Sequence, residues 1–290
     1  MTSLISRPRR SVLYVPADKE RALAKIAVLD CDAVILDLED AVAPDAKDQA
    51  RETMRRFLVD SRPQDCEIIV RINALTGEWG TEDLLAVRAV RPDAILLPKV
   101  DGPRDVLEAN DALDETDAPS ELALWAMIET PKALLNLGAI AELGANPAAR
   151  LACFVAGTND LVKETGVLPT PDRRYLMPWL LQMVAAARAS GLDVLDGVMN
   201  DFRDADGFER ECVEGRNMGF DGKTLIHPAQ IEAANRIFSP SEMEIAEAEA
   251  VVSAFAQPEN AGKGVIRIDG RMVERLHFAQ AERLLAKARR

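Results

Sequence analysis

Short runs of Val, Ile, Leu and Ala recur along the chain at Ser11–Val15, Ala33–Leu38, Ile68–Ile72, Ala94–Lys99, Leu122–Ile128, Leu151–Ala156, Val194–Met199 and Gly222–Ile226. They are close to continuous in apolar character rather than alternating, the pattern of strands buried on both faces. Amphipathic helical segments fill the intervals. One opens on Pro44 and then places Ala46, Ala50, Met54, Phe57 and Leu58 on one face with charged residues elsewhere, so it needs a sheet to cover. Eight such units at a spacing of roughly 30 residues predict an α/β fold, a (β/α)8 TIM barrel of about 250 residues. A doubly wound open sheet shares the alternation, but eight units is the barrel's number.

The sixth connection is the longest, holding Thr158–Gly166, a Pro-punctuated stretch from Pro169 to Pro178, and a covering helix at Trp179–Ser190. After the eighth run come helical segments at Ser241–Ala256 and Met272–Ala288. Between them Gly264–Arg271 alternates and turns at Asp269-Gly270, the signature of a small hairpin or arm. Residues 1–239 therefore read as the barrel and 240–290 as a C-terminal helical extension, a lid or an inter-subunit contact.

The 290 residues carry 35 Lys+Arg against 48 Asp+Glu, a formal charge of −13. No basic stripe offsets that charge, which argues against a nucleic-acid partner. The apolar runs are far short of the ~20 residues that cross a bilayer, and Met1–Arg10 does not resemble a signal peptide, so no membrane association and a cytoplasmic location are expected. Cys31, Cys66, Cys153 and Cys212 form no C-x-x-C pair and read as reduced packing residues.

Chemistry in such a barrel sits where the strands end. The ends here are polar: Asp37-Leu38-Glu39-Asp40, Arg71-Ile72-Asn73, Lys99, Glu129-Thr130, Gly157-Thr158-Asn159-Asp160 and His227. Glu129 and Asp160 follow adjacent strands, about 5 Å apart in a ladder, so the two carboxylates can meet over one cation. A pair of carboxylates completed by water and a substrate oxygen suits Mg²⁺. With only His227 and His277 present, a multi-histidine zinc or iron site within one chain is excluded. Either acid could instead cap the helix after it. Arg71 ends a buried strand and must face an anion, either Glu39 or Asp40 in a structural pair or, the stronger reading, a substrate carboxylate or enolate. Lys99 could form an imine with a carbonyl substrate, but an ordinary pair with a nearby acid is the simpler reading.

Other motifs are absent or misleading. Gly222-Lys223-Thr224 resembles the end of a P-loop, but Asn217 stands where that motif needs glycine. Neither a dinucleotide fingerprint nor a nucleophile elbow occurs. Lys19, Arg21 and Lys25 cluster at the start of the first helix, a docking point for a phosphate if the substrate carries one.

At these positions the chain resembles the citrate lyase β-subunit family of the HpcH/HpaI aldolase superfamily, which includes malyl-CoA and citramalyl-CoA lyases and malyl-CoA thioesterase. The resemblance rests on Arg10-Ser11-Val12-Leu13-Tyr14-Val15-Pro16, the run Ile35 to Val42, Val70-Arg71-Ile72-Asn73, Leu97-Pro98-Lys99-Val100, Ile128-Glu129-Thr130 and Gly219 to Pro228. It implies a Mg²⁺-dependent barrel acting on coenzyme A or acyl-carrier thioesters, as homotrimers or homohexamers. Carried over residue by residue, it places the metal on Glu129 and Asp160, substrate on Arg71, the catalytic acids at Asp37, Glu39 and Asp40, and coenzyme A near Lys19, Arg21 and Lys25. Lyases of the family supply a tail aspartate from a neighbouring subunit in a Gly-Lys-Met-Ile-Asp stretch. This chain has Gly270-Arg271-Met272-Val273-Glu274 there, and the longer Glu274, with the stretches around Glu129 and Asp160, is most similar to the malyl-CoA thioesterase branch.

The activity that resemblance implies is carbon–carbon cleavage of a malyl-CoA or citramalyl-CoA type thioester to a 2-oxo acid and acetyl-CoA, with Arg71 stabilising the enolate and Glu274 protonating it. Hydrolysis to malate and coenzyme A is the second expectation. A third is a citrate lyase β component that needs an acyl-carrier partner. A free-aldehyde aldolase built on an early histidine does not fit, since no histidine precedes His227.

Overall fold

The computed structural model describes residues 7–268 and 270–288. They fall into two compact units, one formed by Arg9–Phe238 and the other by the residues from Ser239 onward with those before Arg9.

The first unit is a closed barrel of eight parallel strands in sequential order: β1 (Ser11–Pro16), β2 (Ala33–Asp37), β3 (Glu67–Arg71), β4 (Ala94–Leu97), β5 (Ala123–Ile128), β6 (Leu151–Ala156), β7 (Asp193–Asp196) and β8 (Gly222–Leu225). The chain is a TIM barrel, as the eight runs indicate, and β1 closes it by pairing Ser11 with Lys223 of β8. The helices are α1 (Glu20–Leu23), α2 (Lys47–Asp60), α3 (Gly80–Val90), α4 (Pro103–Glu115), α5 (Pro131–Glu142), α6 (Thr158–Thr165), α7 (Met177–Ala189), α8 (Ala205–Met218) and α9 (Ile231–Phe238).

The period-2 geometry of each strand divides its apolar residues between two cores. Val12, Ile35, Ile69, Leu96, Trp125, Val155 and Leu195 fill the barrel, while Leu13, Leu36, Val70, Ile95 and Phe154 face the helices. Beneath the inner core Arg9 lies 4.8 Å from the Trp125 ring and pairs with Glu67 and Asp193, each at 2.7 Å. α2 buries Ala50, Met54 and Leu58 as its pattern requires, but Pro44 opens a separate 3-10 turn, Pro44–Ala46, and the helix begins at Lys47.

Two strands stop two or more residues short of their apolar runs. β4 ends at Leu97 because Pro98 has no N–H to continue the ladder, and Lys99 then turns into left-handed backbone at φ 49°. β7 ends at Asp196, whose carbonyl is taken by the Thr224 hydroxyl at 2.9 Å. The covering helix of the sixth connection is α7, beginning two residues before the expected Trp179.

Lys223, fully buried on β8, pairs with Asp196 at 3.0 Å and Glu211 at 2.6 Å, and Arg173 reaches Asp196 at 2.8 Å. The triplet that resembles a P-loop is thus part of an internal ion cluster. Burial alone would push the Asp196 carboxyl up, but Lys223 and Arg173 outweigh it and hold the group below the usual aspartate value. Its contribution to stability is therefore complete above the ordinary aspartate pKa, about 3.9, and lost as pH falls below it. Lys223→Met is expected to cost about 3 kcal/mol in urea unfolding, because it leaves Arg173 alone to balance the Asp196 and Glu211 carboxylates.

In the second unit, α10 (Glu242–Ala256) starts on a Ser241–Glu244 capping box, and β9 (Val265–Ile268) pairs antiparallel with β10 (Arg271–Glu274). The hairpin is present; Asp269 of its expected turn lies outside the described residues. The last helix, α11, spans Arg275–Ala288 rather than starting at Met272, because pairing with β9 holds Arg271–Glu274 extended. All four cysteines are buried, and none of them forms a disulfide among the described residues. No helix among the described residues is long and apolar enough to cross a membrane.

Candidate active site

Strand register brings the first two site residues together. Asp37 and Arg71 are ladder partners at the ends of β2 and β3, and the Arg71 fork grips the Asp37 carboxylate, Nε to Oδ1 at 2.8 Å and Nη2 to Oδ2 at 2.5 Å. Asp37 also accepts the backbone N–H groups of Glu39, at 2.9 Å, and Ala41, at 3.3 Å, so both of its oxygens are committed. The remaining Arg71 nitrogen, Nη1, lies 2.9 Å from Glu39 Oε2, and the Tyr14 ring sits 5.0 Å from the guanidinium. Burial opposes the charge on Arg71, but Asp37 outweighs it and raises the pKa well above the ordinary value.

The anion that Arg71 requires is thus Asp37, reinforced by Glu39, and not Asp40. Of the two acids expected as its structural partner, Glu39 is one and Asp40 is not, and the main partner, Asp37, was not among them. Glu39 is held a second time, by Lys99 Nζ at 2.7 Å, and its carboxyl is raised by burial. Within the acidic run only Asp40 is exposed. The loop that carries the run is braced by Lys47, buried and donating to the carbonyls of Leu38 and Glu39 at 2.7 Å and to Asn73 Oδ1 at 2.9 Å. Asn73, a strand-end residue expected at the mouth, is therefore a brace, bonded also to Asp83.

Glu129, just past β5, is fully buried. Its Oε1 accepts the Lys99 backbone N–H at 2.7 Å, and its Oε2 has no hydrogen-bond partner. Burial pushes its carboxyl up to about 8 against that N–H, and the charges of Glu39 and Asp160 add to the rise. A buried carboxylate oxygen with nothing to bind is costly unless a cation completes it. The capping alternative does not account for either acid: Thr130 caps α5, accepting from Ala133 N at 3.0 Å, and no side chain caps α6 among the described residues. Asp160 stands half-buried in the first turn of α6. No group of three or more His, Cys, Asp and Glu side chains among the described residues could hold a metal. A cation here would rest on the Glu129 and Asp160 carboxylates plus water and substrate oxygens, a donor set suited to Mg²⁺.

Gly157 leaves the room for this arrangement. A Cβ there would fall 2.3 Å from Glu129 Cβ and 2.7 Å from Oε2. Gly157→Ala is expected to displace the carboxylate, lowering kcat/KM by about 30-fold or more with a stability loss of about 1–3 kcal/mol, checked by steady-state kinetics and thermal unfolding.

Tyr14, Asp40, Arg71, Met127, Asp160 and Asn200 line a cavity of about 450 Å³ at the strand ends. A second cavity of about 420 Å³ shares Tyr14, Pro16 and Ile226 with it and is lined by Lys19, Arg21, Lys25 and His227. His227 stacks on Phe202 with ring centroids 4.4 Å apart. α1 is a single turn, so its cations rather than a helix dipole give that cavity its positive character, although Lys19 is paired with Asp18 at 2.5 Å. Glu274 lies in β10 of the second unit, exposed, its backbone N–H donating to His277 Nδ1 at 2.9 Å, and so is not among the residues gathered here. Strand-end reasoning missed Tyr14, although two-residue spacing from inward-facing Val12 marks it, and the backbone role of Lys99, for which the sequence carries no signal.

The pattern of the HpcH/HpaI aldolase/citrate lyase family matches residues 10–228. The chain belongs to this family of enzymes. It is 49% identical over 283 residues to a (3S)-malyl-CoA thioesterase of Cereibacter sphaeroides, covering 98% of this chain and 95% of that protein. It is 33% identical over 288 residues to the citrate lyase subunit beta of Escherichia coli, covering 98% and 94%. Among solved structures it is similar to the CitE protein of Mycobacterium tuberculosis in complex with magnesium, acetoacetate and coenzyme A, with a TM-score of 0.74, 29% identity and 98% of each chain covered.

Proposed function

We propose that this chain is a Mg²⁺-dependent enzyme acting on a coenzyme A thioester of the malyl-CoA type, with hydrolysis to malate and coenzyme A as its reaction. The observation that carries the reading is the buried Glu129 carboxylate with one unpartnered oxygen, close enough to the Arg71 and Asp160 charges to be shifted by both. The identity of 49% with a thioesterase, against 33% with a citrate lyase subunit, puts hydrolysis ahead of cleavage, reversing the order expected from the sequence.

Glu129 and Asp160 would hold the cation, which when bound supplies a Lewis acid for the oxygens of the hydroxy acid. Arg71, fixed by Asp37, presents a rigid positive charge at the cavity wall toward the negative oxygen that develops when water attacks the thioester carbonyl. The water proton needs an acceptor. Asp37 and Glu39 are committed to cations, so Asp40, exposed on the cavity wall, is the acid of the run with free lone pairs. Lys19, Arg21 and Lys25 would take the coenzyme A phosphates in the adjoining cavity.

The second reading keeps the same groups and breaks the carbon–carbon bond instead, with Glu274 from another copy of the chain in a homotrimer or homohexamer protonating the enolate carbon. Incubation with Mg²⁺ and (3S)-malyl-CoA separates the two. Malate with stoichiometric free thiol supports hydrolysis; glyoxylate with acetyl-CoA overturns it in favour of cleavage. No turnover, or full turnover in excess EDTA, overturns the proposal.

A further inference from the structure

Lys99 adopts left-handed backbone at φ 49°, a region that costs a lysine of order 1 kcal/mol or more. Of the other non-glycine residues with positive φ among the described residues, Arg91, Asp117 and Arg150 stand at the ends of helical segments, where that conformation is an ordinary stop, and Arg173 belongs to the ion cluster around Asp196. Lys99 ends no helix. It lies past β4, between the loops that carry Glu39 and Glu129, and contacts both acids. Its backbone N–H donates to Glu129 Oε1 at 2.7 Å and its ammonium reaches Glu39 Oε1 at 2.7 Å. The oxygens it leaves are Glu129 Oε2, without a partner, and Glu39 Oε2, 2.9 Å from Arg71 Nη1.

An ordinary surface ion pair needs only the side chain and would not require strained backbone. We propose that Lys99 is a positioning residue with two separable roles. Its left-handed backbone aims an N–H at one oxygen of Glu129, so that the other stays presented to the cation. Its ammonium shares the charge of Glu39 with Arg71, so that the guanidinium is not drawn away from the cavity. The first role rests on the metal reading above, and the second does not.

The test compares Lys99→Gly, which relaxes the strain and keeps the N–H, with Lys99→Val, whose branched side chain disfavours left-handed backbone, and with Lys99→Arg. Mn²⁺ affinity is read by electron paramagnetic resonance, alongside kcat and KM. The glycine variant is expected to bind Mn²⁺ within about threefold of wild type but to lose about tenfold or more in kcat with little change in KM, and Lys99→Arg to recover most of that kcat. The valine variant is expected to bind Mn²⁺ about tenfold more weakly. Should Lys99→Val not fold, Lys99→Ala takes its place and is expected to bind Mn²⁺ more weakly than the glycine variant. Equal Mn²⁺ affinity in the glycine and valine variants, or in the glycine and alanine variants, overturns the backbone role. Full kcat in Lys99→Gly, or no recovery in Lys99→Arg, overturns the ammonium role. Failure of the wild-type chain to bind Mn²⁺ overturns the metal reading and the backbone role with it.

Discussion

Glu129→Gln is expected to lower kcat/KM on the order of 10³-fold, about 4 kcal/mol of transition-state stabilisation, while leaving the folded protein at least as stable as before. The activity is expected to fall because the proposed cation site rests on two carboxylates, and a neutral amide replaces the more deeply buried one. Stability is maintained for a separate reason. Glu129 is fully buried, its carboxyl is pushed up to about 8 by burial, and one oxygen is unpartnered, so near neutral pH the metal-free fold must hold a proton there that the unfolded chain does not, which is a burden on its stability. Glutamine retains an oxygen for the Lys99 N–H and removes that burden. Kinetics with and without added Mg²⁺, together with thermal unfolding of the metal-free protein, check both halves. A variant that lost activity by unfolding would show a lowered Tm, the opposite of what is expected.

The second large effect is at Arg71. Arg71→Lys is expected to reduce kcat by about 10²–10³-fold and to cost about 3 kcal/mol of stability in urea unfolding. A lysine cannot reproduce the fork that holds both Asp37 oxygens while a third nitrogen faces Glu39. Asp37 would be left with a single point charge that Glu39, held otherwise only by Lys99, also draws on. If Arg71 served only as structural glue, Asp37→Asn would be as damaging to stability and Arg71→Lys would leave kcat of the folded fraction unchanged. If it acts on substrate, kcat measured per folded molecule falls in Arg71→Lys.

The barrel was legible because eight nearly continuous apolar runs have few alternatives, and the site was legible because that fold places every strand end at one face. Asp37, Arg71, Glu129 and Asp160 were offered as candidates on that ground alone, and Asp37, Arg71 and Asp160 line the cavity at the strand ends. What the pattern of residue types does not contain is register and backbone angle. The match of Asp37 to Arg71 depends on β2–β3 register, so the strand-end reading offered Arg71 the acids two and three residues further on. Lys99 read as a strand-end lysine paired with a nearby acid, which its pair with Glu39 bears out, but nothing in its residue type reveals a φ of 49°. Lys47 was invisible for a related reason: it sits at a helix start among charged residues, yet loop curvature turns three acceptors toward its ammonium. In the second unit, Met272–Glu274 was assigned to a helix since helical propensity is local, whereas pairing with Val265–Arg267 is not.

The decisive measurement is the position of the cation. Crystals soaked in Mn²⁺ and measured by anomalous scattering are expected to hold one ion per chain, about 2.1–2.2 Å from an oxygen of Glu129 and an oxygen of Asp160, and none in Glu129→Gln. An ion bound elsewhere, or a wild-type cavity that stays empty at millimolar Mn²⁺ while the enzyme turns over, would contradict the assignment of these two carboxylates.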